Sequence, residues 1–243
     1  HKCVAETMQE LAGDPKYLGA EIGFISVLHT WGQNMMDHPH IHCIVPGGGL
    51  QDGKRFVKCK KQFLFPFKVM ARLFKGKLLA SFKKAVAKGD ICFHGNLKDY
   101  AQPSIWSSFM DSVYKKNWVT YCKPPFAGAS QVLKYLGGYT HRIAISNNRI
   151  VAVDEDSVTF KWRSYADGDQ VKLMKLSRVE FIRRFLLHIL PKGFRRIRYY
   201  GFLANCKRKV ALSRCLEVLG VKEKDDGNKK IAVFSVFWYV CQM

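Results

Sequence analysis

The sequence predicts an α+β fold in which an antiparallel sheet is flanked by helices, and three observations predict it. Residues 22–31 and 40–45 are apolar runs rich in Ile, Val and Phe, joined by a polar loop through Gln33 and Asn34, as in an antiparallel hairpin. Residues 150–153, 158–162 and 171–176 form a second set of short β-type runs, separated by turns at Asp154-Glu155-Asp156 and Asp167-Gly168. Between and around these runs lie segments whose apolar residues recur at helical spacing.

Taken in order, Val4, Met8 and Leu11 mark one helix face, and Gly13-Asp14-Pro15 stops that helix. The strand over residues 40–45 ends at Pro46-Gly47-Gly48-Gly49. From Phe67 to about Asn117 the pattern is helical and basic: Lys68, Arg72, Lys75, Lys77, Lys83, Lys84 and Lys88 alternate with Val69, Leu73, Leu78, Leu79 and Phe82. Most of these lysines read as the solvated face of amphipathic helices. Lys123-Pro124-Pro125 breaks the chain, and residues 129–142 read as another helix, weakened by Gly137-Gly138. Ser177 with Glu180 three residues on is a capping box that opens a helix over 178–190, which Pro191-Lys192-Gly193 ends. Residues 222–230 are charged and precede an apolar C-terminal tail. The predicted organisation is one domain over 1–212, followed by linker and tail over 213–243. Within the domain, 67–127 is a helical insertion, 128–142 a separate helix and 146–212 a basic part.

The chain has 243 residues, 48% hydrophobic and 13% aromatic, which suffices for a real core and excludes a disordered tail. Lys and Arg number 40 against 19 Asp and Glu, and 40 − 19 gives the net +21. A surplus of this size attracts polyanions, with nucleic acid the first partner to consider and anionic membrane the second. No apolar run reaches the length of about 20 residues that a spanning helix needs. The eight cysteines contain no Cys-x-x-Cys pair, and they suit a reducing cytoplasm better than a disulfide framework. The chain opens with His1, which reads as a fragment of a longer frame.

The densest chemical signal is HTWGQNMMDHPHIHCIVPGGG, residues 29–49. On a strand, His40 and His42 flank Ile41 and so share a face, which suits chelation of one cation by two neutral imidazoles. A third ligand must come from elsewhere: Gln33 on the preceding loop is the first choice and His29 the second. The competing reading, polar residues at a strand start, is strong for so short a motif. A zinc hydrolase of the metallo-β-lactamase kind continues His-x-His with Asp-His, whereas here Cys43 and Ile44 follow. The second signal is QVLKYLGGYTHR, residues 131–142, where Tyr135 and Tyr139 stand four apart and share a helix face. Taken alone, such a pair reads as core packing. The third signal lies between Arg183 and Lys209, where Arg183, Arg184, Arg195, Arg196 and Arg198 are interleaved with Phe194, Tyr199, Tyr200 and Phe202. Basic groups can track phosphates and aromatic faces can stack bases, although the aromatics also fit a half-buried strand.

Together these segments resemble the two-tyrosine transposases of rolling-circle insertion sequences, within the His-hydrophobic-His (HUH) nuclease superfamily. The likeness is carried by LHTWGQ, HPHIHCIVPGGG, KPPF, YLGGYTHRIAISN and EFIRRFLLHILPKGFRRIRYYGFLAN, which occur in the family's order. The resemblance implies an HUH-type antiparallel sheet, His40 and His42 as ligands of Mg²⁺ or Mn²⁺, and Tyr135 and Tyr139 as paired nucleophiles. It also implies Arg142 and the downstream arginines as contacts to single-stranded DNA of transposon ends and target, in a bacterial cytoplasm. Family members carry a Cys-rich region and a first sheet strand upstream of the segment matched here. Gly138 stands where a basic residue is expected, and the apolar tail replaces a Cys-rich ending. Two other readings are a non-catalytic DNA-binding remnant of a decayed element and a basic RNA-binding or structural protein.

Overall fold

The computed structural model describes residues 1–59, 64–126, 137, 144–165, 167–218 and 238–243. Two β-structures organise them. The larger is a five-stranded antiparallel sheet built from β1 (Phe24–Trp31), β2 (Asp37–Pro46), β5 (Tyr121–Phe126), β9 (Ile197–Tyr200) and β10 (Trp238–Gln242). Its strand order is β5-β10-β2-β1-β9, so the His-x-His strand β2 is central. The smaller is the meander β6 (Ile150–Val153), β7 (Ser157–Ser164) and β8 (Gln170–Ser177). A hairpin of β3 (Gly48–Gln51) and β4 (Arg55–Lys58) follows β2 directly, where the sequence suggests only a Gly-rich strand end.

The register of β1 on β2 sorts the two faces of the larger sheet. Ser26 pairs with Cys43 and Leu28 with Ile41 on one face, while Val27 pairs with His42 and His29 with His40 on the other. The first face carries the main core, in which Phe24, Ile41, Cys43 and Val45 pack with Val4, Met8 and Leu11 of α1 (Lys2–Gly13). Met70 of α2 (Phe67–Ala87) belongs to the same core, and a 2.7 Å ion pair between Lys77 and Glu10 ties the two helices together. The helical periodicity of Val4, Met8 and Leu11 is therefore the imprint of this burial.

The basic stretch after Phe67 becomes α2, a 3₁₀ turn (Gly95–Ala101) and α3 (Pro103–Lys115). Aromatic rings hold these together, with Phe82 on Trp106 at 5.2 Å and Tyr100 on Phe109 at 5.0 Å between centroids. Lys68, Arg72, Lys83, Lys84 and Lys88 are exposed, as a solvated helix face requires. Residues 121–126, expected within the helical insertion, instead form β5, an edge strand of the larger sheet. The apolar tail contributes β10, inserted between β2 and β5, with Ile41 and Met243 exchanging backbone hydrogen bonds of 2.6 and 2.9 Å. Among the described residues no helix is long and apolar enough to cross a membrane.

The meander packs its inner face on α4 (Arg178–Leu186) around Phe160, Met174, Leu176, Phe181 and Phe185. Ser177 Oγ accepts the Glu180 amide at 3.2 Å, as the capping motif predicts, but the Glu180 carboxylate turns to Arg183 and Arg184 instead of closing the box. The last described helix is α5 (Arg208–Val218).

Gly201, just after β9, adopts φ +58, and a Cβ there would meet the Ile22 carbonyl oxygen. Gly168 in the β7–β8 turn has φ +69 with open space around it. Replacing Gly168 by Ala therefore imposes backbone strain alone, about 1 kcal/mol, whereas Gly201→Ala adds a backbone collision and costs about 2 kcal/mol or more. Urea denaturation of the two variants should place the Gly201→Ala midpoint clearly below that of Gly168→Ala. Equal midpoints would contradict this packing.

Candidate metal centre

The antiparallel ladder sets His29 of β1 directly opposite His40 of β2, and His42 lies one inward-facing position along. The ligating nitrogens of His29, His40 and His42 all lie within 4.8 Å of one another. Among the described residues this is the cluster of His, Cys, Asp or Glu side chains placed to share an ion. His40 Nε2 is 3.0 Å from His42 Nε2, and the His29 ring centroid lies 4.6 Å from that of His42.

Two features suit these imidazoles to ligation. His40 Nδ1 lies 2.7 Å from the His38 carbonyl oxygen, and because a carbonyl only accepts, Nδ1 carries the proton. That tautomer leaves Nε2 with its lone pair aimed at the cluster. Burial pushes the His40 pKa down, more than its bond to the His38 carbonyl raises it, and the neighbouring His38 ring lowers it further, so the neutral form is favoured. His29 and His42 are buried while His40 is half-buried, so the group is open on the His40 side. Three neutral nitrogens converging at a sheet surface fit a divalent cation, and the trio is a candidate divalent-metal site.

The remaining sequence-predicted residues fare differently. Gln33 Nε2 lies 3.5 Å from the Tyr165 hydroxyl and its carbonyl accepts from Arg149, whereas His29, the second choice, supplies the third nitrogen of the trio. Tyr135, Tyr139 and Arg142 lie outside the described residues. Arg183 and Arg184 both bond Glu180, at 2.6 and 2.7 Å, and hold that carboxyl down to about 2. Arg184 also donates to the Asn34 carbonyl at 3.1 Å. Arg195 and Arg198 are exposed and Arg196 is half-buried.

The β9 register separates charge from aromatics. Arg198 pairs with Ser26, placing it on the face opposite the histidines, while Tyr199 pairs with Ile25 on the histidine face and is 39% exposed. Two residues near the site escape a reading of the sequence. His188 is buried, with Nε2 3.0 Å from the Met35 carbonyl and Nδ1 3.1 Å from Thr30 Oγ1. Arg149 donates to the Gln33 carbonyl. The partners that tie them to the β1–β2 turn lie more than 100 positions away, and the only local signal is the polar His188 at the end of an apolar helix pattern.

Comparison with known proteins gives this geometry a family. Residues 23–210 match the family model Y2_Tnp, described as "Putative transposase". The chain is 49% identical over 221 residues to "Putative transposase y4qJ" of Sinorhizobium fredii (strain NBRC 101917 / NGR234), covering 90% of this chain and 56% of that protein. It is 26% identical over 191 residues to "Transposase for insertion sequence element IS801" of Pseudomonas savastanoi pv. phaseolicola, covering 78% of this chain and 45% of that protein. The chain thus spans about half the length of the curated relatives it matches. No solved structure matches it. With the matched segment running from β1 through both histidine strands to the helix after β9, the chain belongs to the two-tyrosine HUH transposase family.

Proposed function

We propose that this chain is the catalytic part of a rolling-circle transposase, which nicks and rejoins single-stranded DNA through a phosphotyrosine intermediate. The convergence of His29, His40 and His42 on one sheet face carries this reading. His29 is preferred over Gln33 as the third ligand, because its nitrogen lies within 4.8 Å of those of His40 and His42. A divalent cation held there, Mg²⁺ or Mn²⁺, supplies Lewis acidity toward a phosphodiester oxygen.

The nucleophile is Tyr135 or Tyr139. A phenol with pKa near about 10 is a weak nucleophile at neutral pH, so it depends on an electrophile already polarised. Its oxygen forms a bond to phosphorus while the bond to the 3′ oxygen breaks, leaving a 5′-phosphotyrosine and a free 3′-hydroxyl. Attack by a 3′-hydroxyl on that phosphotyrosine reverses the step and rejoins DNA, and the second tyrosine permits transfer to a target strand. The hydrogen bond from His40 Nδ1 to the His38 carbonyl fixes the tautomer in which Nε2 is the nitrogen available to an ion. The exposed Tyr199 on the histidine face offers a stacking surface for an unpaired base, while Arg142, Arg195 and Arg196 attract the backbone and Arg198, on the opposite face, adds only to the general positive field. A bacterial cytoplasmic protein that joins the nucleoid when bound to DNA fits this role.

Three outcomes are expected. Calorimetry with Mn²⁺ should show one site, lost in the His40→Ala, His42→Ala double variant, and unchanged binding there would remove the site. Affinity for single-stranded oligonucleotide should fall steeply with salt, the log–log slope growing by about 0.7 per phosphate neutralised. A flat slope would mean that the net +21 serves solubility alone. Finally, incubation with single-stranded DNA and Mn²⁺ should give a covalent adduct on denaturing gels. Tyr135→Phe and Tyr139→Phe each delete an attacking atom but keep the ring, so the double variant should stay folded and form no adduct. An adduct from that variant would end the tyrosine reading. DNA binding by the unmutated chain without any adduct would instead support the non-catalytic remnant.

A further inference from the structure

The loop that joins the two histidine strands is short, Gly32–Met36, and its hydrogen bonds divide in an unusual way. Three of its donors are satisfied locally: Gly32 N donates to the Met36 carbonyl at 3.0 Å, Met35 N to the Gly32 carbonyl at 3.1 Å, and Met36 N to Asn34 Oδ1 at 3.1 Å. Its next three carbonyls all point to the meander unit. The Gln33 carbonyl accepts from Arg149 Nη2, the Asn34 carbonyl from Arg184 Nη1 at 3.1 Å, and the Met35 carbonyl from His188 Nε2 at 3.0 Å. Since Nε2 donates, His188 Nδ1 is the acceptor and Thr30 Oγ1 donates to it at 3.1 Å.

The loop is also anchored by packing. Met35 takes φ +58, a conformation that a non-glycine residue holds only when its surroundings impose it. Its side chain is fully buried with Phe160 and Ala144, against Trp31, Trp162, Met174 and Phe185. Trp31 connects this anchor to the metal centre, stacking on His29 with centroids 4.9 Å apart and planes at 13°, while its ring lies 5.9 Å from His188. The β1–β2 register shifts between His29 and Trp31, so ladder pairing alone does not set the strand end just beyond His29, which carries the Trp31 ring stacked on it.

We propose that Arg149, Arg184 and His188 are positioning residues that clamp the Gly32–Met36 turn and so hold His29 in place against His40 and His42. The meander unit then serves the metal centre without contributing a ligand, in the way that outer partners commonly orient the ligands of metal sites. Glu180 completes the device by fixing Arg184, whose Nε donates to it at 2.7 Å while Nη1 reaches the loop. On this view Arg184 acts inside the fold and is unavailable to a DNA backbone.

The part of this inference that concerns metal affinity rests on the ion-binding reading, and the test separates the two. Arg149→Met and Arg184→Met keep side-chain length and packing but remove the donors, and Arg184→Lys restores one. Hydrogen exchange followed by mass spectrometry, on metal-free protein, should show about tenfold faster exchange over residues 28–42 in both Met variants. Exchange in α1 should be unchanged, and Arg184→Lys should recover most of the protection. Calorimetry with Mn²⁺ should show affinity reduced by about 10-fold or more in the Met variants. Unaltered exchange over 28–42, or an equal rise throughout the chain, would overturn the clamp, as would a failure of Arg184→Lys to restore protection. If the unmutated chain takes up no Mn²⁺, the ion-binding reading fails and the exchange experiment still decides the clamp.

Discussion

The pairing of β1 with β2, in the one register that sets His29 against His40, is the constraint on which the rest of the structure depends. Side chains alternate along a strand, so a slip of one residue would send His40 and His42 into the helix-covered face and move Ile41 and Cys43 out of it. The core forbids that slip. Ile41, Cys43 and Val45 pack there with Val4, Met8 and Leu11, and putting imidazoles in their place would break up that apolar core. The histidine trio is thus positioned mainly by residues that never touch it. Hydrophobic burial on one face of the sheet fixes where the imidazoles stand on the other.

The same strand pair is held at its open end by polar interactions of a different kind. At the turn there is no ladder left to impose geometry, and three donors from the meander unit take over, with Met35 as the apolar anchor. Hydrogen bonds from a charged guanidinium to a carbonyl are among the stronger ones in a protein, because a partly dry environment weakens competition from water. This arrangement gives the meander a place in the molecule that its own sheet does not need. Its outer face, with Val171 and Leu173 exposed beside Lys161 and Arg163, is free of that duty.

Charge is partitioned along similar lines. Acidic groups are few and several are taken up by ion pairs: Glu180 with Arg183 and Arg184, Asp167 with Lys172 and Asp169 with Arg163 locally, and Glu10 with Lys77 between α1 and α2. These pairs are largely exposed and contribute little to stability, but they take arginines such as Arg184 out of the set available to a polyanion. The wide basic surplus that remains gives the protein a long-range positive field that attracts polyanions. On the sheet, the register separates Tyr199 on the histidine face from Arg198 on the opposite one.

The sequence by itself determined what depends on near neighbours. Strand alternation put His40 and His42 on one face, helical spacing marked the buried side of α1, and Ser177 three residues before Glu180 announced the start of α4. The meander turns were equally legible, because the residues that permit them are local. Only the tertiary structure decided the choices between distant partners. It brought in His29 as the third imidazole, gave Gln33 to Tyr165, turned Arg184 inward, and placed the apolar tail as β10 beside β2. A strand's pattern says that it needs a neighbour but not which one, since backbone hydrogen bonds are the same for every residue. Likewise an arginine's charge is visible in the chain, while its commitment to a carbonyl 150 positions away is set by how the two β-structures meet.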